Sequence, residues 1–239
     1  MKKFIILFLI IIIFLTKINF AKINYVNNKT NNNIKMQEQN MKNIFIYKEK
    51  IELKPSGLDG ISDSQIADHW KLYVGYVNNV NKLNEDLKEL ANQNKTNSLI
   101  YADRKRRYGF EYNGMILHEY YFENLTNNKT ELSDNKLKEK IISTWGSFEN
   151  WLEDFKNTGK TRGIGWAILY ADPNTGELTN HFIHEHQNGV ITDFKPILVM
   201  DVWEHAYMVD HKADGRAAYI ESFIKNINWP VVEARYKNI

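Results

Sequence analysis

The chain has 239 residues, of which 43% are hydrophobic and 13% aromatic. That is enough apolar material for one ordinary core or two small domains, and it excludes a disordered protein. The 31 basic and 29 acidic residues nearly balance, which argues against general nucleic-acid binding, and the absence of cysteine rules out disulfides, thiolate chemistry and a lipid-modified cysteine. Any metal must be held by His, Asp or Glu.

The opening MKKFIILFLIIIIFLTKINFAK sets Lys2 and Lys3 before an unbroken apolar stretch from Phe4 to Leu15, with Ala21 at a cleavage position. Residues 1–21 read as a secretory signal peptide, so the protein is expected to be exported: secreted, periplasmic or at the cell surface. An uncleaved membrane anchor is the rival reading, disfavoured because an apolar core of about 12 residues is shorter than the roughly 20 needed to span. Removing this segment takes three lysines from the 31 basic residues and leaves 28 against 29 acidic ones. No nucleic-acid partner is expected, and no membrane once the signal is gone.

Residues 22–50 are Asn- and Lys-rich without periodicity and read as a linker, so the folded part is expected from residue 51. Pro55, Gly57 and Gly60 mark turns, and Ser62 is a fitting N-cap. From Ser62 to Asn92, Ile66, Trp70, Tyr73, Val77, Val80, Leu83, Leu87 and Leu90 recur at helical spacing, with His69 beside the stripe. Met115, His118, Tyr121, Phe122 and Leu125 predict a second helix within NGMILHEYYFENL. Leu137, Ile141, Trp145, Phe148, Leu152 and Phe155 predict a third.

After Gly159 the pattern turns to strand: GIGWAILYADPNTGELTNHFIHE carries a hairpin turn in DPNTGE, and ITDFKPILVMD makes a third strand ending at Asp201. GRAAYIESFIKNINWPVVEARY returns to helix, with Pro230 at a helix start. The expected fold is α+β: an N-terminal helical hairpin lobe over 51–130, then an α/β lobe over 131–239 with a short three-stranded antiparallel sheet and flanking helices.

His69, His118, Asp201 and His205 sit on core-facing elements. Each alone reads as a hydrogen-bonded structural residue, and Asp201 with His205 also suits an acid/base pair. Together the four make a three-histidine, one-carboxylate set suited to iron, manganese or zinc. His181, His184 and His186 form a second cluster, but on a strand His184 and His186 face opposite to His181, so they do not converge. A zinc hydrolase lacks support, since there is no HExxH pair.

The motif DVWEHAY resembles the Asp-x-Trp-Glu-His-Ala-Tyr signature of the iron/manganese superoxide dismutase family. HWKLYVGYVNN, LHEYYFENL, GIGWAIL and NINWPVVEARY extend the resemblance in order from Glu52 to Tyr236. It implies one Fe or Mn ion per subunit held by His69, His118, Asp201 and His205, with solvent as a fifth ligand, and superoxide as the substrate converted to dioxygen and hydrogen peroxide. It further implies a homodimer, or a tetramer, in which Glu204 fixes the partner subunit's ligand histidine and Tyr207 lies at the interface. Trp203 and Trp166 would wall the site, and Arg216 would draw the anion in.

Several positions depart from the family. Where it commonly has a histidine four residues after the first ligand, Tyr73 stands here. The nearest gateway tyrosine, Tyr76, is seven residues from His69 rather than eight. Either a helical bulge is lost and Tyr76 still reaches the funnel, or Tyr73 or Val77 fills the space; Tyr207 would then meet Tyr73. The helical glutamine that partners the solvent in part of the family is replaced by Gly114, and counting back from Asp201 points to His186 as its substitute. Iron and manganese are not told apart by this pattern. A metal-binding structural relative without turnover is the competing reading.

Overall fold

The computed structural model describes residues 45–133 and 135–239, together with 22, 24 and 28. The expected signal peptide and most of the expected linker lie outside the described residues. The chain divides into a unit of residues 1–46 and a compact body of residues 47–239, which carries all the named helices and strands. No helix among the described residues is long and apolar enough to cross a membrane.

The body is packed from Tyr47, a little ahead of the expected residue 51. Tyr47 exchanges two hydrogen bonds with the Asn81 side chain, Glu49 accepts from the Trp70 indole, and the Lys50 N–H donates to the Tyr73 hydroxyl. These polar partners lie on the first long helix, so even an Asn/Lys-rich tail end is held there.

That helix, α1 (Asp63–Asn92), begins as expected at Ser62, whose Oγ accepts from the Gln65 N–H at 3.0 Å. Its buried stripe, Ile66, Trp70, Tyr73, Val77, Val80 and Leu83, packs on α2 (Leu99–Glu123) through Met115, Leu117, Tyr121 and Phe122. The α2 helix starts at Leu99, well before the expected Asn113. Its first half lacks an apolar stripe and is held instead by ion pairs: Arg107 with Glu111 at 2.6 Å within the helix, and Arg104 with Asp86 of α1 at 3.1 Å.

The expected third helix is two. Gly146, at φ +85°, ends α3 (Lys136–Trp145), and Ser147 caps α4 (Phe148–Gly159) by accepting from the Asn150 N–H. A left-handed glycine followed at once by an N-cap serine interrupts an apolar stripe that reads as continuous.

The sheet is antiparallel in the order β2-β1-β3, with β1 (Gly165–Ala171) fully buried between β2 (Leu178–His184) and β3 (Lys195–Asp201). Its register pairs Trp166 with Asp201 on one side and with Ile183 on the other. The DPNTGE hairpin forms as expected: Asp172 accepts the Gly176 N–H on its carbonyl and the Asn174 N–H on its carboxylate. A 3-10 turn (Glu204–Ala206), α5 (Met208–His211), α6 (Arg216–Lys225) and α7 (Trp229–Lys237) complete the body. Buried Asn124, at the end of α2, donates to the Val199 carbonyl of β3 and accepts from Arg235 of α7. Helices and sheet thereby share one core, with the end of β3 aimed at the α1–α2 hairpin.

Candidate metal centre

His69 comes from α1, His118 from α2, Asp201 from the last position of β3 and His205 from the 3-10 turn. The turn follows from Asp201 itself, whose Oδ1 accepts the Trp203 N–H at 2.8 Å and bends the chain as the strand ends. The Tyr219 hydroxyl holds the Asp201 carbonyl at 2.7 Å. Oδ2 is left pointing inward, where the Nε2 atoms of His69, His205 and His118 lie at 3.0, 3.2 and 3.7 Å. One ligand atom from each of the four residues lies within 4.8 Å of the others. The side chains of His69, His118 and Asp201 are fully buried, while that of His205 is 20% exposed.

The donor set fits a cation. His118 Nδ1 lies 2.6 Å from the Gly114 carbonyl, which can only accept, so the ring proton is on Nδ1 and Nε2 presents a lone pair. That lone pair has no hydrogen-bond partner among the described residues and faces the lone pairs of Asp201. A positive ion between them turns repulsion into coordination. Burial pushes His118 well below the usual imidazole range, with the neighbouring His69 adding to the effect, and keeps it a neutral ligand. Burial also lowers His69, although Asp201 opposes it. For Asp201 burial alone would raise the carboxyl, but the imidazoles of His205 and His69 outweigh it and hold the group ionised, well below the carboxylate range.

Residues 133–235 match the profile "Iron/manganese superoxide dismutases, C-terminal domain". "Superoxide dismutase [Fe]" of Aquifex pyrophilus is 37% identical over 193 residues, covering 79% of this chain and 90% of that one. The protein of the same name from Cupriavidus metallidurans is 33% identical over 195 residues (77% and 95%), and "Superoxide dismutase [Mn] 2" of Haloferax volcanii is 31% identical over 165 residues (69% and 81%). The chain belongs to the iron/manganese superoxide dismutase family. With that membership go an oxidoreductase activity and iron or manganese as the metal.

Around these four residues the sequence-predicted residues divide. His186 is fully buried beside them, brought inward by a tight loop in which His184 and Asn188 exchange backbone hydrogen bonds and Glu185 takes φ +56°. Its Nδ1 accepts from the Trp166 indole at 3.0 Å, which places the proton of the neutral ring on Nε2, donating to the Tyr76 hydroxyl at 2.7 Å. Burial lowers the His186 imidazole to about 4, so the ring is neutral at physiological pH.

Tyr76, and not Tyr73, stands at the site. Its ring lies 5.1 Å from that of His118, in space that Gly114 leaves open: a Cβ on Gly114 would come within 2.6 Å of the Tyr76 ring. Burial raises the Tyr76 phenol, and the Asp201 charge adds to the rise, so it stays protonated. Helix α1 runs unbroken through this region, so a seven-residue spacing from His69 suffices. Tyr73 is turned the other way, its hydroxyl donating to Glu119 and accepting from the Lys50 N–H. It is wholly buried within the chain and is not presented to Tyr207, contrary to expectation. Tyr207 instead stacks on Tyr219 at 5.6 Å.

Trp166 meets His118 edge-on at 5.1 Å, and Trp203 stacks on His186 at 4.9 Å and on His205 at 5.6 Å. Arg216 donates through Nη1 to the Gly163 carbonyl, while Nε and Nη2 find no partner among the described residues. Glu204 is exposed next to His205. His184 is exposed and His181 sits beside Tyr170, so neither joins the site.

Three residues that sequence reading missed also matter here. Asn113 donates to the His186 carbonyl, Phe110 meets the His186 ring at 4.6 Å, and Gln65 reaches the backbone of His205. Gln65 was signalled by position, a polar side chain one helical turn before His69.

Proposed function

We propose that the chain is an exported superoxide dismutase working as a homodimer, with His69, His118, Asp201 and His205 as the ligands of one iron or manganese ion per subunit. The observation that carries this reading is the convergence of three imidazole Nε2 atoms on one carboxylate oxygen inside an aromatic wall, with a His118 lone pair that has no partner among the described residues and faces that carboxylate. When bound, the metal supplies a one-electron couple that oxidises one superoxide to dioxygen and reduces the next, which takes two protons to become hydrogen peroxide.

The protein's own groups serve the approach of the anion and the protons. The unpartnered donors of Arg216 offer a fixed positive charge to a small anion. With His186 donating to the Tyr76 oxygen, the Tyr76 hydroxyl proton is left for an incoming acceptor. Trp166 holds His186 in the tautomer this requires. Trp203, Trp166 and Phe110 limit water around these groups.

Export is supported by Lys2, Lys3, the apolar stretch Phe4 to Leu15 and Ala21. The dimer is supported by the exposed Glu204 next to His205, an acceptor placed for the ligand histidine of a second copy. The test is to load the purified chain with iron or manganese, quantify the bound metal and measure superoxide removal beside His118→Ala. Activity that tracks occupancy and disappears in the variant is the expected result. Full occupancy with no activity above the variant would instead mark a metal-binding structural relative.

A further inference from the structure

Gln65 is 1% exposed, and both its amide nitrogen and its amide oxygen are hydrogen-bonded. Nε2 donates to the His205 carbonyl, and Oε1 accepts from the Val209 N–H at 2.9 Å. These backbone groups belong to two very short elements, the three-residue turn that carries His205 and the four-residue α5. Such elements do not hold their shape alone, because nucleating a helical turn costs more than one or two hydrogen bonds return. The turn has no side-chain cap of its own.

Helix α1 has the opposite character: thirty residues long, capped by Ser62, with a buried stripe along its length. Gln65 therefore ties a marginal turn to a rigid rod, one helical turn from the rod's own ligand, His69. Other contacts join the same regions: Ser62 donates twice to the Asp210 carboxylate, and His211 Nε2 donates to the Gly60 carbonyl. They lie on the exposed side and end on residues 210 and 211, whereas Gln65 bonds to the ligand residue itself.

We propose that Gln65 is a positioning residue for the metal, a strut that fixes His205 relative to His69 and so slows loss of the ion. His205 is the ligand with solvent exposure, and so the one whose movement opens the site. The inference rests on the four residues being the metal ligands. Removing an outer partner of a metal ligand typically weakens metal retention by about 10- to 100-fold.

The test uses the full chain loaded with iron or manganese, in three forms: unaltered, Gln65→Leu and His211→Ala. Leucine fills a similar volume while leaving the His205 carbonyl and Val209 N–H unpaired. The histidine variant removes the His211–Gly60 bond and loosens the same region without touching Gln65 or a ligand residue. Metal release to excess chelator, the visible absorption of the loaded chain and the melting temperature of the metal-free chain are measured for each. The expected result is release at least about tenfold faster from Gln65→Leu, with a shifted absorption band. His211→Ala should lower the melting temperature yet leave release and absorption unchanged. Gln65→Ala, where water can refill the gap, replaces the leucine variant if that does not fold. Release within twofold of the unaltered chain with an unchanged band overturns the proposal, as does equal acceleration by His211→Ala. If the unaltered chain itself retains no metal, the reading of the four ligands fails first and the strut fails with it.

Discussion

Gly114 decides where Tyr76 stands. In a helix interior, alanine is favoured over glycine by about 0.5–1 kcal/mol, but a Cβ at this position meets the Tyr76 ring at 2.6 Å, and overpacking of that kind costs about 1–3 kcal/mol. The clash wins. Gly114→Ala is expected to lower stability by about 1 kcal/mol in denaturant unfolding and to reduce superoxide removal, because the Tyr76–His186 hydrogen bond is displaced. His186 makes a separate prediction. Its pKa of about 4 in the folded state lies below the roughly 6.5 of an unfolded histidine, so below about pH 6.5 the unfolded chain takes up the proton first. Stability present above pH 6.5 is then lost as the pH falls toward 4. For the metal-free chain, unfolding free energies at pH 7.5 and 4.5 should show His186→Gln gaining roughly 2 kcal/mol on the original over this interval; no change in the difference would contradict the assignment.

The loop that carries His186 is a small element under strain. Glu185 holds φ +56°, a conformation that costs a residue with a side chain about 1–2 kcal/mol, against about 0.5–1 kcal/mol of extra chain entropy lost by glycine. Glu185→Gly is therefore expected to raise thermal stability by roughly 0.5–1 kcal/mol without altering metal content. Such local geometry explains what was legible in the sequence. The strand ending at Asp201, the long first helix and the convergence of His69, His118, Asp201 and His205 follow from apolar periodicity and from the DVWEHAY resemblance, because one-sided burial leaves its period in the chain. The early start of α2 was not legible, since ion pairs such as Arg104–Asp86 leave no apolar period. The break at Gly146 was hidden because the stripe from Leu137 to Phe155 continues across it. His186 could be found by counting, but its tautomer depends on Trp166, and the parting of Tyr73 from Tyr76 depends on space at Gly114. Those are matters of three-dimensional neighbours.

Across the whole body, the four proposed ligands come from α1, α2, β3 and the turn after it, so an ion bound there would draw together segments from Asp63 to Ala206. A metal that binds only the folded chain adds about 4 kcal/mol at a free concentration a thousandfold above Kd. Chelation is expected to lower the melting temperature by on the order of 10 °C, measured calorimetrically on loaded and stripped protein. His118→Ala should melt at the same temperature with and without added metal. The chain has six tryptophans, and two of them, Trp166 and Trp203, lie in ring contact with His118 and His205. Indole emission from these two should dim as a transition metal enters and recover as it leaves. The walls of the site thus act as a built-in fluorescent reporter of occupancy, readable in real time and independent of turnover.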